Sequence, residues 1–323
     1  ACLFWGIWQW HSGGFPQLFI MVAFLADFSG EPALAGFVSQ LLAVVVLMQA
    51  VLPVWSSLMS PLHAWSTRAL GYEAGMCAVV LATVTVVHLA GALMTVPALV
   101  GVTVGKIQVT KVTSVKKLAG AMPLVGLNFI LGVVAGSAAL VCAAKSQHQP
   151  DFAAGLPSGP LLALQTGFSL LVTELIFYHV HRAFHQNKWL YAKIHKVHHT
   201  WPAPVALVST YCHPVEHLGC NLLSIFVGPL LCGAHPAVII TYTLIFAVGA
   251  HAHHCGYWSD DMGMHDLHHE AFNVNFGNAH ILDYLYGTYR LKKPSQLVAA
   301  AVLQKKTCGV TDGSSTVTSE KSD

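Results

Sequence analysis

Charge is what this chain has least of. Of its 323 residues only 9% are Asp, Glu, Lys or Arg, while 54% are apolar. A soluble domain carries about 25% charged residues, so this composition excludes a surface covered for water. The net charge of +2 excludes the strongly basic field that nucleic-acid capture needs, and no nucleic-acid partner is expected. The eight cysteines contain no Cys-x-x-Cys pair and sit mostly in apolar surroundings, and nothing in them suggests a disulfide framework. No G-x-G-x-x-G opens a helix, and P-loop and G-x-S-x-G signatures are absent. The chain therefore lacks the signature of a nicotinamide or flavin site of its own, and any electrons must come from a partner.

Long uncharged runs take the place of the missing charge. Residues 33–55, 74–105, 118–144 and 152–173 hold no Asp, Glu, Lys or Arg, and each is long enough for the roughly 20 residues of a membrane-spanning helix. A weaker apolar run covers 14–26, and the start ACLFWGIWQW has no basic flank and reads as interfacial rather than as a signal peptide. Residues 217–259 are also uncharged but broken at Pro229 and at 233–236. Each half would span roughly 24 Å, which reads as a shallow hairpin returning to the side it left. Lys106, Lys111, Lys116 and Lys117 crowd one loop, and Arg182, Lys188, Lys193 and Lys196 another; two helices between them let both face the cytoplasm. The fold expected is all-α, a polytopic membrane bundle under a cytosol-facing, histidine-rich di-metal cap. Its parts are 1–157 (transmembrane helices), 158–294 (catalytic region) and 295–323 (a polar, disordered tail).

Sixteen of the twenty histidines lie after residue 178. In YHVHRAFH, His181 and His185 share a helical face; in HKVHH, His195 aligns with His198 and His199; in HDLHHEAFNVNFG, His265 aligns with His268 and His269. Each box can aim imidazoles at one point, and a set this large can hold two metals. His254, in HAHHCGYW where the hairpin returns, reads as a further ligand. His213, before Pro214, is left as ligand, supporting partner or turn residue; His179, His217 and His280 carry weaker signals. His88, alone in an apolar run, reads as a core or headgroup residue. His11, His63, His148 and His235 carry no motif. Glu174 is the one acid of its apolar helix and shares a face with Tyr178 and His181, so it is expected to take the second N–H of His181. Asp266, Glu270 and Asp283 lie close to the third box and could serve its other rings, although for Asp266 and Glu270 solvated helix surface is the favoured reading.

A metal transporter would distribute ligands through the membrane interior, whereas these clusters fall at helix ends. A zinc hydrolase keeps about three ligands and a Glu base, far fewer than here. Membrane metal binding without turnover is the remaining alternative from another class.

From Glu174 to Tyr289 the sequence resembles the membrane fatty acid hydroxylase superfamily, which includes sterol desaturases, sterol C4-methyl oxidases and cholesterol 25-hydroxylase. The motifs are ELIFYHVHRAFH, KIHKVHHTWPAP, HPVE at 213–216, HCGY at 254–257, HDLHHEAFNVNFG and DYLYGT, with Lys106-Ile107-Gln108 in keeping. The resemblance implies a di-iron centre (zinc in isolated protein being an alternative) that uses O2 as co-substrate. It would be held by His181, His185, His195, His198, His199, His254, His265, His268 and His269, with Glu174, Tyr178 and His213 as supporting partners. It also implies an external electron donor such as cytochrome b5 and its reductase, and an endoplasmic-reticulum membrane location with the boxes facing the cytosol. The third box resembles the sterol-hydroxylating members, so the implied reaction is hydroxylation of a sterol or related lipid. Desaturation, or hydroxylation of a fatty acid or sphingolipid, is the alternative on the same scaffold.

Overall fold

The computed structural model describes residues 32–108, 110–147, 152, 154–257 and 261–291. The apolar run at 14–26, the Trp-rich start and the polar tail lie outside them. Among the described residues the chain is helical, with one isolated bridge between Lys106 and Tyr257. The long helices are α1 (Pro32–Leu70), α2 (Tyr72–Leu99), α3 (Val115–Ser146), α4 (Gly159–Gln186), α6 (Pro214–Leu231) and α7 (Pro236–His253). The short α5 (Lys188–Lys193), α8 (Asp261–Ala271) and α9 (Ile281–Leu285) complete the set. The six long helices are long and apolar enough to cross a membrane, so by helix composition this is a multi-pass membrane protein. Helix α1 runs past the uncharged stretch at 33–55, through Pro53 and Pro61, to Leu70; neighbouring helices can re-satisfy the backbone groups that a proline frees in such a setting.

Leu58, Leu93, Val134 and Leu164 stay exposed on the outer faces while Met48, Met76, Leu140 and Ile239 are fully buried. Helices apolar on every side are what a lipid environment requires. In lipid, association rests on close packing and small residues rather than on burial from water. A Cβ on Gly228 of α6 would meet the Ser169 Cα of α4 at 2.7 Å, and one on Gly91 of α2 would meet the His251 ring of α7 at 2.6 Å. Helix α7 sits against α1, α2, α3 and α6. Thr173 of α4 bridges its hydroxyl to Tyr242 Oη (2.9 Å) and to the Ser224 carbonyl (3.0 Å), tying α4, α6 and α7 together.

The two halves of the expected hairpin are α6 and α7, and they return as the sequence indicates. Residues 206–210, before α6, hydrogen-bond His251 near the end of α7. Helix α6 opens with one π-turn at His217–Leu222, a local widening frequent at functional sites. The lysine loop between α2 and α3 folds over the same end: Ile107 N–H donates to the Gly256 carbonyl (2.9 Å) and Lys117 Nζ to the Thr200 carbonyl (2.7 Å).

Because the approach at Gly228 is backbone to backbone, Gly228→Val should cost about 1–3 kcal/mol by overpacking. In a thermal size-exclusion assay of detergent-solubilised protein it should lower the midpoint. Gly126→Ala, where a Cβ meets nothing within 4 Å, should leave it unchanged.

Candidate metal centre

The three boxes meet where the long helices end, each on a different kind of segment. His181 and His185 ride the last turns of α4; His195, His198 and His199 lie on a 3₁₀ turn, His195–Thr200; His265, His268 and His269 lie on α8; His254 caps α7. The nine imidazoles form two groups, one of His181, His185, His195, His199 and His268, the other of His198, His254, His265 and His269. Within each group one ring nitrogen from every residue lies within 4.8 Å of the others.

The boxes do not aim at one point apiece. In each, the histidines four apart share a group, while the middle histidine of the second and third boxes crosses over. His198 leaves its box for the second group, and His268 leaves its own for the first. Neighbouring residues on a 3₁₀ or α helix diverge by roughly 100–120°, so His198 and His199 cannot serve one centre.

The outer nitrogens explain the chemistry of the inner ones. Nδ1–H of His181 donates to the Phe276 carbonyl (2.8 Å), that of His198 to Tyr211 (3.2 Å), that of His254 to Ala250 (2.7 Å) and that of His268 to Val274 (2.7 Å). His195 Nδ1 lies 2.9 Å from Glu216 Oε1. A carbonyl only accepts, so each Nδ1 facing one carries the proton and each Nε2 a lone pair. His198 Nε2 and His254 Nε2 then face each other as two acceptors, 3.3 Å apart. Further Nε2 pairs, His185–His195, His254–His265 and His199–His268, stand at 2.8, 2.9 and 3.2 Å. Burial pushes the His198 imidazole down to about 4. It also holds His195, His199, His254, His265, His268 and His269 below the usual range, with the neighbouring imidazoles adding to the effect. The rings are thus neutral at pH 7, and protons do not relieve the opposed lone pairs. A shared cation does, and a set of buried neutral imidazoles, four of them with the outer N–H held by a carbonyl, suits a transition metal.

The carboxylates act through backbone. Glu174 does not take the N–H of His181. Its Oε2 accepts from the amides of Asn278 (2.8 Å) and Ala279 (2.6 Å), and Oε1 from Leu282 (3.3 Å). Asp283 accepts from Phe276 N–H (2.7 Å), Gly277 N–H (2.6 Å) and the Thr288 hydroxyl (2.7 Å). Burial alone would raise the Asp283 carboxyl, but hydrogen bonds from His280 and Thr288 outweigh it and hold it below the usual range. Gly277 passes between the two acids, where a Cβ would meet Glu174 Oε1 at 2.5 Å and Asp283 Oδ2 at 2.9 Å. The loop so strapped presents the Phe276 carbonyl to His181. Tyr178 is fully buried, its hydroxyl 3.1 Å from Thr288 Oγ1 and receiving Arg182 Nη1 at 2.9 Å.

His213 takes the turn role among those the sequence left open, Glu270 is exposed as expected, and Asp266 departs from expectation. His213 caps α6 by accepting from Val215 N–H (3.2 Å) and joins neither group. Asp266 is buried rather than solvated and accepts from Gln108 Nε2 (3.0 Å), because the lysine loop covers it; Glu270 is exposed. Glu216 is the partner that sequence reasoning missed. The signal available was its place as the lone acid of HPVE at the head of an apolar run. His217 is buried, and His280 adopts a left-handed backbone (φ 59°) beside Asp283. Below the groups a cavity of about 170 Å³ opens between the helices, reaching His181, His198, His254 and His265 at one end and Val80, Phe226 and Ile240 within the bundle.

Residues 166–288 match the family described as Fatty acid hydroxylase. The chain is 36% identical over 151 residues to "Fatty acid hydroxylase domain-containing protein 2" of Homo sapiens, covering 46% of this chain and 45% of that one. It is 39% identical over 150 residues to "Fatty acid hydroxylase ahd1" of Mycosarcoma maydis, covering 45% and 39%. With "Methylsterol monooxygenase 2-2" of Arabidopsis thaliana it shares 32% over 148 residues, covering 41% and 55%. The chain thus spans about half the length of the curated relatives it matches, or less. No solved structure matches it.

Removing the strap should loosen the loop rather than the membrane helices. Glu174→Ala leaves three amides without their acceptor, which should cost about 2–4 kcal/mol. By hydrogen exchange the amides of Asn278, Ala279 and Leu282 should lose protection, while those of α2 keep theirs.

Proposed function

We propose that this chain, whose residues 166–288 match the fatty acid hydroxylase family, is a membrane-bound di-iron lipid oxidoreductase of that superfamily, an O2-dependent hydroxylase acting on a sterol or related lipid. The observation that carries the proposal is the pair of imidazole groups with opposed, neutral Nε2 atoms, met at 3.3 Å between His198 and His254. His181, His185, His195, His199 and His268 would hold one metal, and His198, His254, His265 and His269 the other. The chemistry a bound iron pair supplies is reductive activation of O2 for attack on an unactivated C–H bond.

The protein's own part is to hold and to exclude. Carbonyls of Phe276, Tyr211, Ala250 and Val274 fix four rings by their Nδ1–H groups, and Glu216 lies beside His195 Nδ1. The cavity admits an apolar molecule from the bundle to the histidine face, while the lysine loop and the strapped loop at 274–283 close the opposite side to water. With no dinucleotide motif in the chain, electrons would come from outside, from a donor such as cytochrome b5 and its reductase. An endoplasmic-reticulum membrane with the histidines toward the cytosol suits the lysine-rich loops on that side. "Methylsterol monooxygenase 2-2" and the third box favour a sterol.

The test is lipid mass spectrometry of a host expressing the chain, beside one expressing His198→Ala. A lipid that gains one oxygen only with the intact protein is the expected result; one that loses two hydrogens would make the enzyme a desaturase. Indistinguishable profiles at equal expression would sink the reading. Glu216→Gln should lower metal retention or turnover about 10- to 100-fold, measured as metal per chain after dialysis and as product per chain.

A further inference from the structure

Two half-buried aromatic rings lean on the first imidazole group, and neither lines the cavity. Tyr191 of α5 has its ring centroid 5.8 Å from that of His185 and 6.3 Å from those of His195 and His199. Phe272, just after α8, lies 5.0 Å from His199 and 6.5 Å from Tyr191. His185 is the one half-buried member of the group beneath them. On this side the group is therefore roofed by a layer one side chain thick. Phe272 is held there at a conformational cost. Its φ of 67° is left-handed, a region that bulky side chains avoid and that glycine takes freely after a helix. Its N–H closes the end of α8 on the His268 carbonyl (2.8 Å). Glycine would end the helix as well, so what the phenylalanine adds is the ring over His199.

The segment that carries Tyr191 is basic. Among the described residues Lys188, Lys193 and Lys196 are exposed and enter no ion pair, while Glu270 is the acid nearest Phe272 in sequence. Lysines of the other cap loop are engaged in the fold instead. Lys106 donates to the Lys111 carbonyl, and Lys117 donates to that of Thr200 while lying over the Trp201 ring. A hydroxylase with no dinucleotide motif takes its electrons from outside, and transfer through protein weakens steeply with distance, so the thinnest cover is the favoured entry. We propose that α5 and the turn at Phe272 form the docking face for a one-electron carrier protein with an acidic surface, its redox group resting over Tyr191 and Phe272. Opposite charge steers the encounter, and a small patch suits a partner that must leave again. The face rests on the proposed function for its use. Hydroxylation takes O2, two electrons and two protons, one oxygen entering the C–H bond and the other leaving as water. Each visit oxidises the carrier by one electron, so each turnover needs two visits. Anionic lipid headgroups would also meet lysines, but they give no reason to hold Phe272 against His199.

The experiment measures binding of the soluble domain of cytochrome b5, an acidic one-electron carrier, to the purified full chain in nanodiscs, with metal content determined in parallel. The triple variant Lys188→Glu, Lys193→Glu, Lys196→Glu should bind about tenfold more weakly at low salt, the difference shrinking as salt rises, at unchanged metal content. Lys116→Glu, on the other basic loop, should bind as the intact chain does. Carbodiimide crosslinking of the unaltered chain to the carrier should map to Lys188, Lys193 or Lys196. No binding by the intact chain, equal binding by the triple variant, or crosslinks confined to Lys111 and Lys116 would overturn the face. So would lysine changes that alter only the response to phosphatidylserine in the nanodisc. Carrier binding of the expected kind by a chain that makes no lipid product leaves the face standing and removes the hydroxylase. Product formed by the triple variant at an unchanged KM for the carrier removes the face and leaves the hydroxylase.

Discussion

Everything at the cap depends on keeping nine uncharged imidazoles close together, with the Nε2 lone pairs of His198 and His254 opposed. Neutral rings in bulk water would turn away or take up protons; here neither escape is open. Burial lowers the proton affinity of the histidines at this end, and carbonyl acceptors on the outer nitrogens fix the tautomers of His181, His198, His254 and His268. The cost of that opposition falls on the fold, which meets it with segments that would otherwise look irregular. The 3₁₀ turn at His195–Thr200, the π-turn at His217–Leu222 and the left-handed residues Phe272, Asn275 and His280 all lie within or beside the cap. Unusual backbone of this kind costs of order 1–3 kcal/mol per residue and persists only where the surroundings over-determine it.

The over-determination comes from acids acting on amides. Glu174 reaches from a membrane helix into the loop after α8, and Asp283 grips the same loop from α9. Asn275 secures the next turn, donating to the Met264 and Arg290 carbonyls and accepting from Arg290 N–H. The loop therefore cannot move without dragging its carbonyls at 274 and 276 from His268 and His181.

The helical class, the membrane runs and the nine clustered histidines were legible from the sequence, because a greasy composition and i, i+4 spacing are local properties. The hairpin of α6 and α7 was legible for the same reason: Pro229 and the Gly233–Pro236 break punctuate the run. What escaped was whatever depends on which residue stands opposite. Glu174 shares a helical face with His181, and sequence spacing favours their pairing; the loop amides win because three backbone donors outbid one ring nitrogen. Asp266 reads as surface until the loop carrying Gln108 closes over it. The crossing of His198 and His268 between groups was hidden because spacing says which rings share a side of one segment, not which segments face each other.

His88 shows the same limit from the other side. A single histidine in an apolar run reads as filler, and its own helix satisfies Nδ1 through the Val84 carbonyl. Its ring contact with His251, 5.6 Å between centroids, comes from a helix separated by a long stretch of sequence and could not be read from spacing. His251 and Asn128 also tie the bundle together, since Asn128 donates to the Thr210 and Cys212 carbonyls and His251 to that of Ala206.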